Sequence, residues 1–148
     1  MPGLVRNALA VVAGFLVGSL VNMALISLSP SLIPPPAGVD VRNAESLGSS
    51  IHLFEAKHFV MPFLAHALGT FAGALTAFLI AVTYKSRVAW IIGFLFLLGG
   101  IAAIFVIPAP VWFIALDLLV AYLPMAWLAI RTGARLQRDQ AEARASVA

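Results

Sequence analysis

At 148 residues, 62% of them hydrophobic and only 10% charged, with a net charge of +3, this chain lies far outside the composition of a water-soluble domain, in which about a quarter of the residues are charged. The length is that of one domain. The absence of cysteine excludes disulfides, thiolate chemistry and cysteine-ligated zinc or iron–sulfur centres.

Crossing roughly 30 Å of hydrocarbon takes about 20 residues at 1.5 Å each. Four nearly uncharged runs are long enough. They predict an all-α integral membrane protein, a four-transmembrane-helix bundle forming a single membrane domain over 1–148. Its spans fall at about 6–28, 59–83, 88–107 and 111–130, with a long outer loop at 29–58 and a tail at 131–148.

The first run follows Arg6 and is too long for the apolar core of a secretory signal. No small-residue cleavage pattern follows it, so a retained helix is expected. It carries Gly14 and Gly18 at GxxxG spacing, then Ser19 and Asn22. Small residues four apart allow close backbone approach in lipid, and packing against another helix of the same chain is the expected use. SPSLIPPPAGVDVRNAESLGSS comes next: Pro34, Pro35 and Pro36 favour polyproline II, Gly38 permits a turn, and Asp40 or Asn43 can cap a short helix. The stretch from Ser49 to His58 mixes apolar and polar residues, as an interfacial helix leading into the second span would. There His52, Glu55 and His58 form HxxExxH, a weak candidate metal site: on one helix the three spread over about 120°, which suits two ligands better than three.

The second span is expected to begin near Pro62, which a first turn tolerates. It holds the most unusual pattern in the chain. Stepping about 100° per residue, His66, Gly69, Thr70, Gly73 and Ala77 fall within roughly 100° of arc, so a titratable group sits on a smooth seam. Gly69 and Gly73 repeat the small-residue spacing of the first helix. The span ends in the basic turn Tyr84-Lys85-Ser86-Arg87. The third run offers only Trp90 and the glycines Gly93, Gly99 and Gly100, and is expected to be scaffolding. Pro108-Ala109-Pro110 makes a turn. The last span carries Trp112, the lone intramembrane acid Asp117, Pro124 as an expected kink and Trp127. Beyond Arg131 an alanine-rich charged segment is expected to be a frayed helical extension or a disordered tail.

Charge placement orients the chain. Arg6, Lys85, Arg87, Arg131, Arg135, Arg138 and Arg144 lie at the termini and the second turn, while the long loop sets Arg42 and Lys57 against Asp40, Glu45 and Glu55. The positive-inside rule then predicts cytoplasmic N- and C-termini. The basic excess needs no nucleic acid as partner; its partner is the lipid bilayer.

Counted from the outer face at 1.5 Å per residue, His66 and Asp117 each lie roughly 10 Å deep, and Asn22 falls near the same level. An aspartate at a helix centre costs about 2.5 to 3.5 kcal/mol on insertion scales, so Asp117 needs a partner, a proton or water, and His66 is the nearest group in depth. The expectation is an outward-facing polar pocket of Asn22, His66, Thr70 and Asp117, covered by the loop and binding or transporting a small solute or proton. Asp117 would be its charge site and His66 the pH-responsive neighbour. Two other functions fit the same residues. An accessory or assembly subunit would meet a homo-oligomeric or membrane-protein partner through Gly14, Gly18, Gly69 and Gly73, and a metal-dependent membrane enzyme would use His52, Glu55 and His58. The sequence names no cofactor and no catalytic residue.

Through IPPPAGVD, HFVMPFLAHALGTFAGAL and PAPVWFIALDLLVAYLPMAWL the chain resembles small four-helix proteins of the bacterial inner (plasma) membrane, over most of its length up to the tail. The resemblance implies a multi-pass inner-membrane location and transfers no activity or site residue. Small multidrug transporters fit poorly, having an essential glutamate in a first helix where this chain has only Asn22. So do the quinone-linked thiol oxidoreductases, which need cysteines.

Overall fold

The structure is a computed structural model that describes residues 2–146, and the described residues form helices joined by turns, with no strand among them. Four helical stretches, Gly3–Leu32, Ala56–Ile80, Lys85–Ile104 and Val111–Ala145, are long and apolar enough to cross a membrane. The long 33–59 connection and the 105–110 turn lie at one end of the bundle. The start of the first stretch and the 81–84 turn lie at the other, where Gly3 and Asn7 meet Thr83.

Helix α1, Gly3–Leu32, runs past residue 28 through Pro30. A proline three residues from the end interrupts only the last turn, which closes as the Ile33 N–H donates to the Ser29 carbonyl at 2.8 Å. In the connection, Asn43 caps the short α2, Ala44–Ser50, its Oδ1 accepting from the backbone N–H groups of Glu45 and Ser46 at 2.9 and 3.1 Å. Two 3₁₀ turns follow, Ile51–Leu53 and Ala56–Phe59. Phe54 and Glu55 between them are extended, with ψ of 129° and 164°.

Helix α3, Val60–Ile80, is the hub, packed against α1 along its length and against α4 and α6 on its other sides. Its glycine seam faces that of α1 antiparallel. A Cβ built at Gly14 would lie 2.6 Å from the Gly73 carbonyl oxygen, and one at Gly18 would lie 2.7 Å from that of Gly69. In return, Gly69 and Gly73 would meet the carbonyls of Gly18 and Gly14 at 2.9 and 2.6 Å. Only hydrogen fits between these backbones, so all four glycines are consumed by one intramolecular contact. In this structure α1 occupies the seam of α3, the intramolecular use expected for the glycines.

Asn7, which the sequence reading passed over, locks the other end of this pair. Its Nδ2 donates to the Thr83 carbonyl and hydroxyl, both at 2.9 Å, and its Oδ1 accepts from the Val82 N–H at 3.1 Å, satisfying backbone beyond the last turn of α3. Tyr84 then takes a left-handed conformation (φ 50°) that reverses the chain into α4, Lys85–Ile104.

The last stretch is broken rather than kinked, into α5, Val111–Val120, and α6, Leu123–Ala145. Pro124 has no N–H for the Val120 carbonyl, and its ring would crowd that oxygen in a continuous helix, so α5 stops at Val120. Of the two alternatives for the segment beyond Arg131, the structure has the helical extension, which continues α6 to Ala145. Gly133 of α6 packs directly on the Phe78 ring of α3, and the Arg131 guanidinium lies 4.4 Å over the Trp127 ring.

The main core is built from small side chains: Ala10, Ala74, Ala77, Ala89, Ala126 and Ala129 are buried with Phe78, Val88 and Ile92, while Leu16, Leu20, Leu98 and Leu119 are exposed. Such a core, with many large apolar side chains turned outward, is compatible with a helical bundle in a membrane, where close backbone packing replaces the hydrophobic drive between helices.

Candidate functional site

Two side chains from sequence-distant helices meet at the centre of the loop half of the bundle. His66 lies two turns into α3, and Asp117 lies on the inner face of α5. The His66 Nδ1 is 2.9 Å from both carboxylate oxygens of the buried Asp117, within hydrogen-bond distance of each. The Tyr122 hydroxyl donates to Asp117 Oδ2 at 2.8 Å. The Tyr122 ring lies against the imidazole with centroids 5.8 Å apart and planes at 28°.

The helix break builds this arrangement. In an uninterrupted helix, residues five apart point about 140° away from each other, which would carry Tyr122 away from Asp117. The irregular backbone of Tyr122 (φ −116°, ψ −80°) turns it back. Tyr122 is 1% exposed, and room for its hydroxyl comes from α4, where a Cβ on Gly100 would collide with it. The sequence reading missed both residues. The available signal was a polar-tipped aromatic inside an apolar run, between the lone acid and a proline; for Gly100, nothing along the chain pointed to Tyr122. The third span therefore contributes to the site as well as to the scaffold.

A cavity of about 280 Å³ extends from His66 and Asp117 toward the loop end. Its walls are mostly apolar, with Ile104 and Ile107 of α4 and its C-terminal turn, and Phe113 and Ile114 of α5. Val41, Leu47, Ile51 and Phe54 of the connection cover it. A second cavity, about 310 Å³, lies between α1 and α4 and touches His66, Gly100 and Ala103 from the other side. Both cavities border the imidazole. Among the described residues, its hydrogen bonds are all made through Nδ1, leaving Nε2 without a protein partner.

The four expected pocket residues thus have different fates. His66 and Asp117 are in contact. Asn22 lines the second cavity beside His66 and makes no hydrogen bond among the described residues. Thr70 is fully buried and borders neither cavity; its hydroxyl donates to the His66 carbonyl at 2.8 Å, within its own helix. This is the usual resort of a helical threonine lacking a polar neighbour.

His52, Glu55 and His58 do not form a metal site, because the extended residues Phe54 and Glu55 break the helix on which their spacing depends. His58 is buried and its Nδ1 accepts the Glu55 N–H at 2.9 Å as half of a reciprocal capping box. His52 is exposed. The exposed Glu55 carboxylate is paired with Lys57 at 3.0 Å, and this hydrogen-bonded ammonium holds it below the usual carboxylate range. Among the described residues, no three His, Cys, Asp or Glu side chains are placed to share a metal ion.

Compared with models of protein families, with curated proteins and with solved structures, the chain matches none. The reading of the site rests on its own geometry.

Proposed function

We propose that this chain is a multi-pass protein of the bacterial inner membrane, with both termini cytoplasmic, that binds a small molecule in an outward-facing cavity ending on His66. The observation that carries this reading is the imidazole itself. Its Nδ1 is held by Asp117, which is in turn held by Tyr122, and its Nε2 has no protein partner on a residue that lines two cavities. A carboxylate bound at Nδ1 orients the ring and favours the tautomer whose Nε2 lone pair accepts a hydrogen bond; with a second proton on the ring, the same atom donates. The volume of about 280 Å³ sits at the lower end of ligand pockets. The apolar walls suit a small solute with one hydrogen-bonding group on a hydrocarbon body.

One observation favours transport of that ligand or of a proton over binding alone. The last span is discontinuous at the site, a construction that secondary transporters use to place ion and substrate groups near the bilayer midplane.

The test is side-chain 15N NMR of His66 in lipid nanodiscs during titration with 1-octanol, octylamine and octanoate, which offer a neutral, a cationic and an anionic head. A saturable shift of Nε2 with at least one probe, absent in Asp117→Leu, is expected. No saturable shift with any of the three, or the same shift in Asp117→Leu, would overturn the proposal.

A further inference from the structure

The cavity above His66 is covered on the aqueous side. Val41, Leu47, Ile51 and Phe54 lie over it. Phe54 is itself packed on His58 and Phe59, with ring centroids 5.3 and 6.2 Å away. A molecule arriving from water would pass these apolar side chains.

The other side of the imidazole is different. The second cavity lies between α1 and α4, which meet where Phe96 packs against Phe15, ring centroids 5.6 Å apart, and fills the space a Cβ on Gly18 would need. From that contact toward the loop end, the residues of α4 that line this cavity are small: Gly99, Gly100 and Ala103. A Cβ on Gly99 would meet no atom within 4 Å. On the facing side, Met23 is 62% exposed. These rim residues are at the depth of His66, roughly 10 Å below the start of its span at 1.5 Å per residue, where the surrounding medium is acyl chain.

We infer that the ligand is a single-chain amphiphile dissolved in the bilayer, which enters sideways between α1 and α4, past Met23 and Gly99, to place its hydrogen-bonding head on His66 Nε2. This rests on the reading of His66 as the binding group, and adds to it the source and chemical class of the ligand. The chemistry agrees at each point along the path. The rim is apolar and open to lipid. The lining offers few polar side chains besides the imidazole, Ser19 and Asn22. The imidazole is shared with the covered cavity, which can receive part of the hydrocarbon body once the head has been bound.

The test uses the full chain in nanodiscs and compares 1-hexadecanol, which resides in the bilayer, with 1-butanol, which is water-soluble. The same His66 Nε2 shift is the readout. Gly99→Phe fills the mouth from a position with free space around it, and Met23→Trp narrows it from the opposite rim. In the wild type both alcohols are expected to shift Nε2. Either variant, melting like the wild type, is expected to weaken the hexadecanol response at least tenfold and to leave the butanol response within twofold. If wild-type Nε2 responds to butanol and not to hexadecanol, or if both variants bind hexadecanol as tightly as the wild type, lateral entry of an amphiphile is wrong while the site remains. If neither alcohol moves wild-type Nε2, both this inference and the binding role of His66 fall together.

Discussion

A methyl group at Gly14 tests the central contact of the fold most directly. Its carbon would lie 2.6 Å from the Gly73 carbonyl oxygen and 2.8 Å from the Ala77 Cβ, whereas ordinary contact begins near 3.4 Å. The shortfall, 3.4 minus 2.6, is about 0.8 Å, and the obstructing atom is backbone, so relief requires α1 and α3 to separate. A gap of 0.5–1 Å forfeits roughly a quarter to a half of each dispersion contact it opens. Overpacking of this kind costs about 1–3 kcal/mol. Gly99→Ala is the matched control: the same methyl meets nothing within 4 Å, and helix propensity alone favours the change by up to about 1 kcal/mol. Because both changes gain the same propensity, it cancels in the comparison, and reversible unfolding in mixed micelles with rising SDS, followed by tryptophan fluorescence, should place Gly14→Ala roughly 1–3 kcal/mol below Gly99→Ala. The difference should not depend on protein concentration, since the contact is within one chain. Equal stabilities would refute the reasoning, and a concentration-dependent loss would show that the seam joins two molecules instead.

Asp117→Leu leaves the Tyr122 hydroxyl and His66 Nδ1 without their partner and should lower stability by about 1–3 kcal/mol in the same assay. Asp117→Asn should lose less, because its amide oxygen still accepts from Tyr122. Asn7→Ala removes the side chain that satisfies Thr83 and Val82 and should cost about 1 kcal/mol, with faster amide exchange confined to residues 81–84. His58→Ala removes the acceptor for the Glu55 N–H; limited proteolysis should then cut faster around 51–59, and calorimetric titration with zinc should give the same isotherm for wild type and variant. Lys57→Ala should let the Glu55 carboxyl titrate at a higher pH by 13C NMR, because the ammonium that favours its charged form is gone. The sign follows from linkage: a carboxyl held below its unfolded value supports the folded loop above that value and loses this support as pH falls through the folded one.

Much of the site was legible as a shared depth. Counting residues from the ends of apolar runs brought His66 and Asp117 to one level, because helical rise is constant at 1.5 Å and the bilayer gives every span a common origin. Rotation about each helix axis has no such common origin. Thr70, on the same stripe as His66, therefore bonds its own backbone, and Asn22, at the right level, lines the opposite cavity. The HxxExxH spacing misled for a related reason: it describes ligand geometry only if the backbone stays helical, and it does not at Phe54 and Glu55.

By itself, the sequence determined the number of apolar spans, the glycine pairs available for close packing and the lone acid that required a partner. Each follows from residue chemistry and a local repeat, with no knowledge of neighbours. Tertiary structure alone decided that the two glycine seams consume each other, that Pro124 ends α5 and swings Tyr122 onto Asp117, and that Gly100 on another helix makes room for that hydroxyl. These depend on how one helix is turned against the next. That turn is set by the summed packing of several helices, a quantity carried by no single stretch of chain.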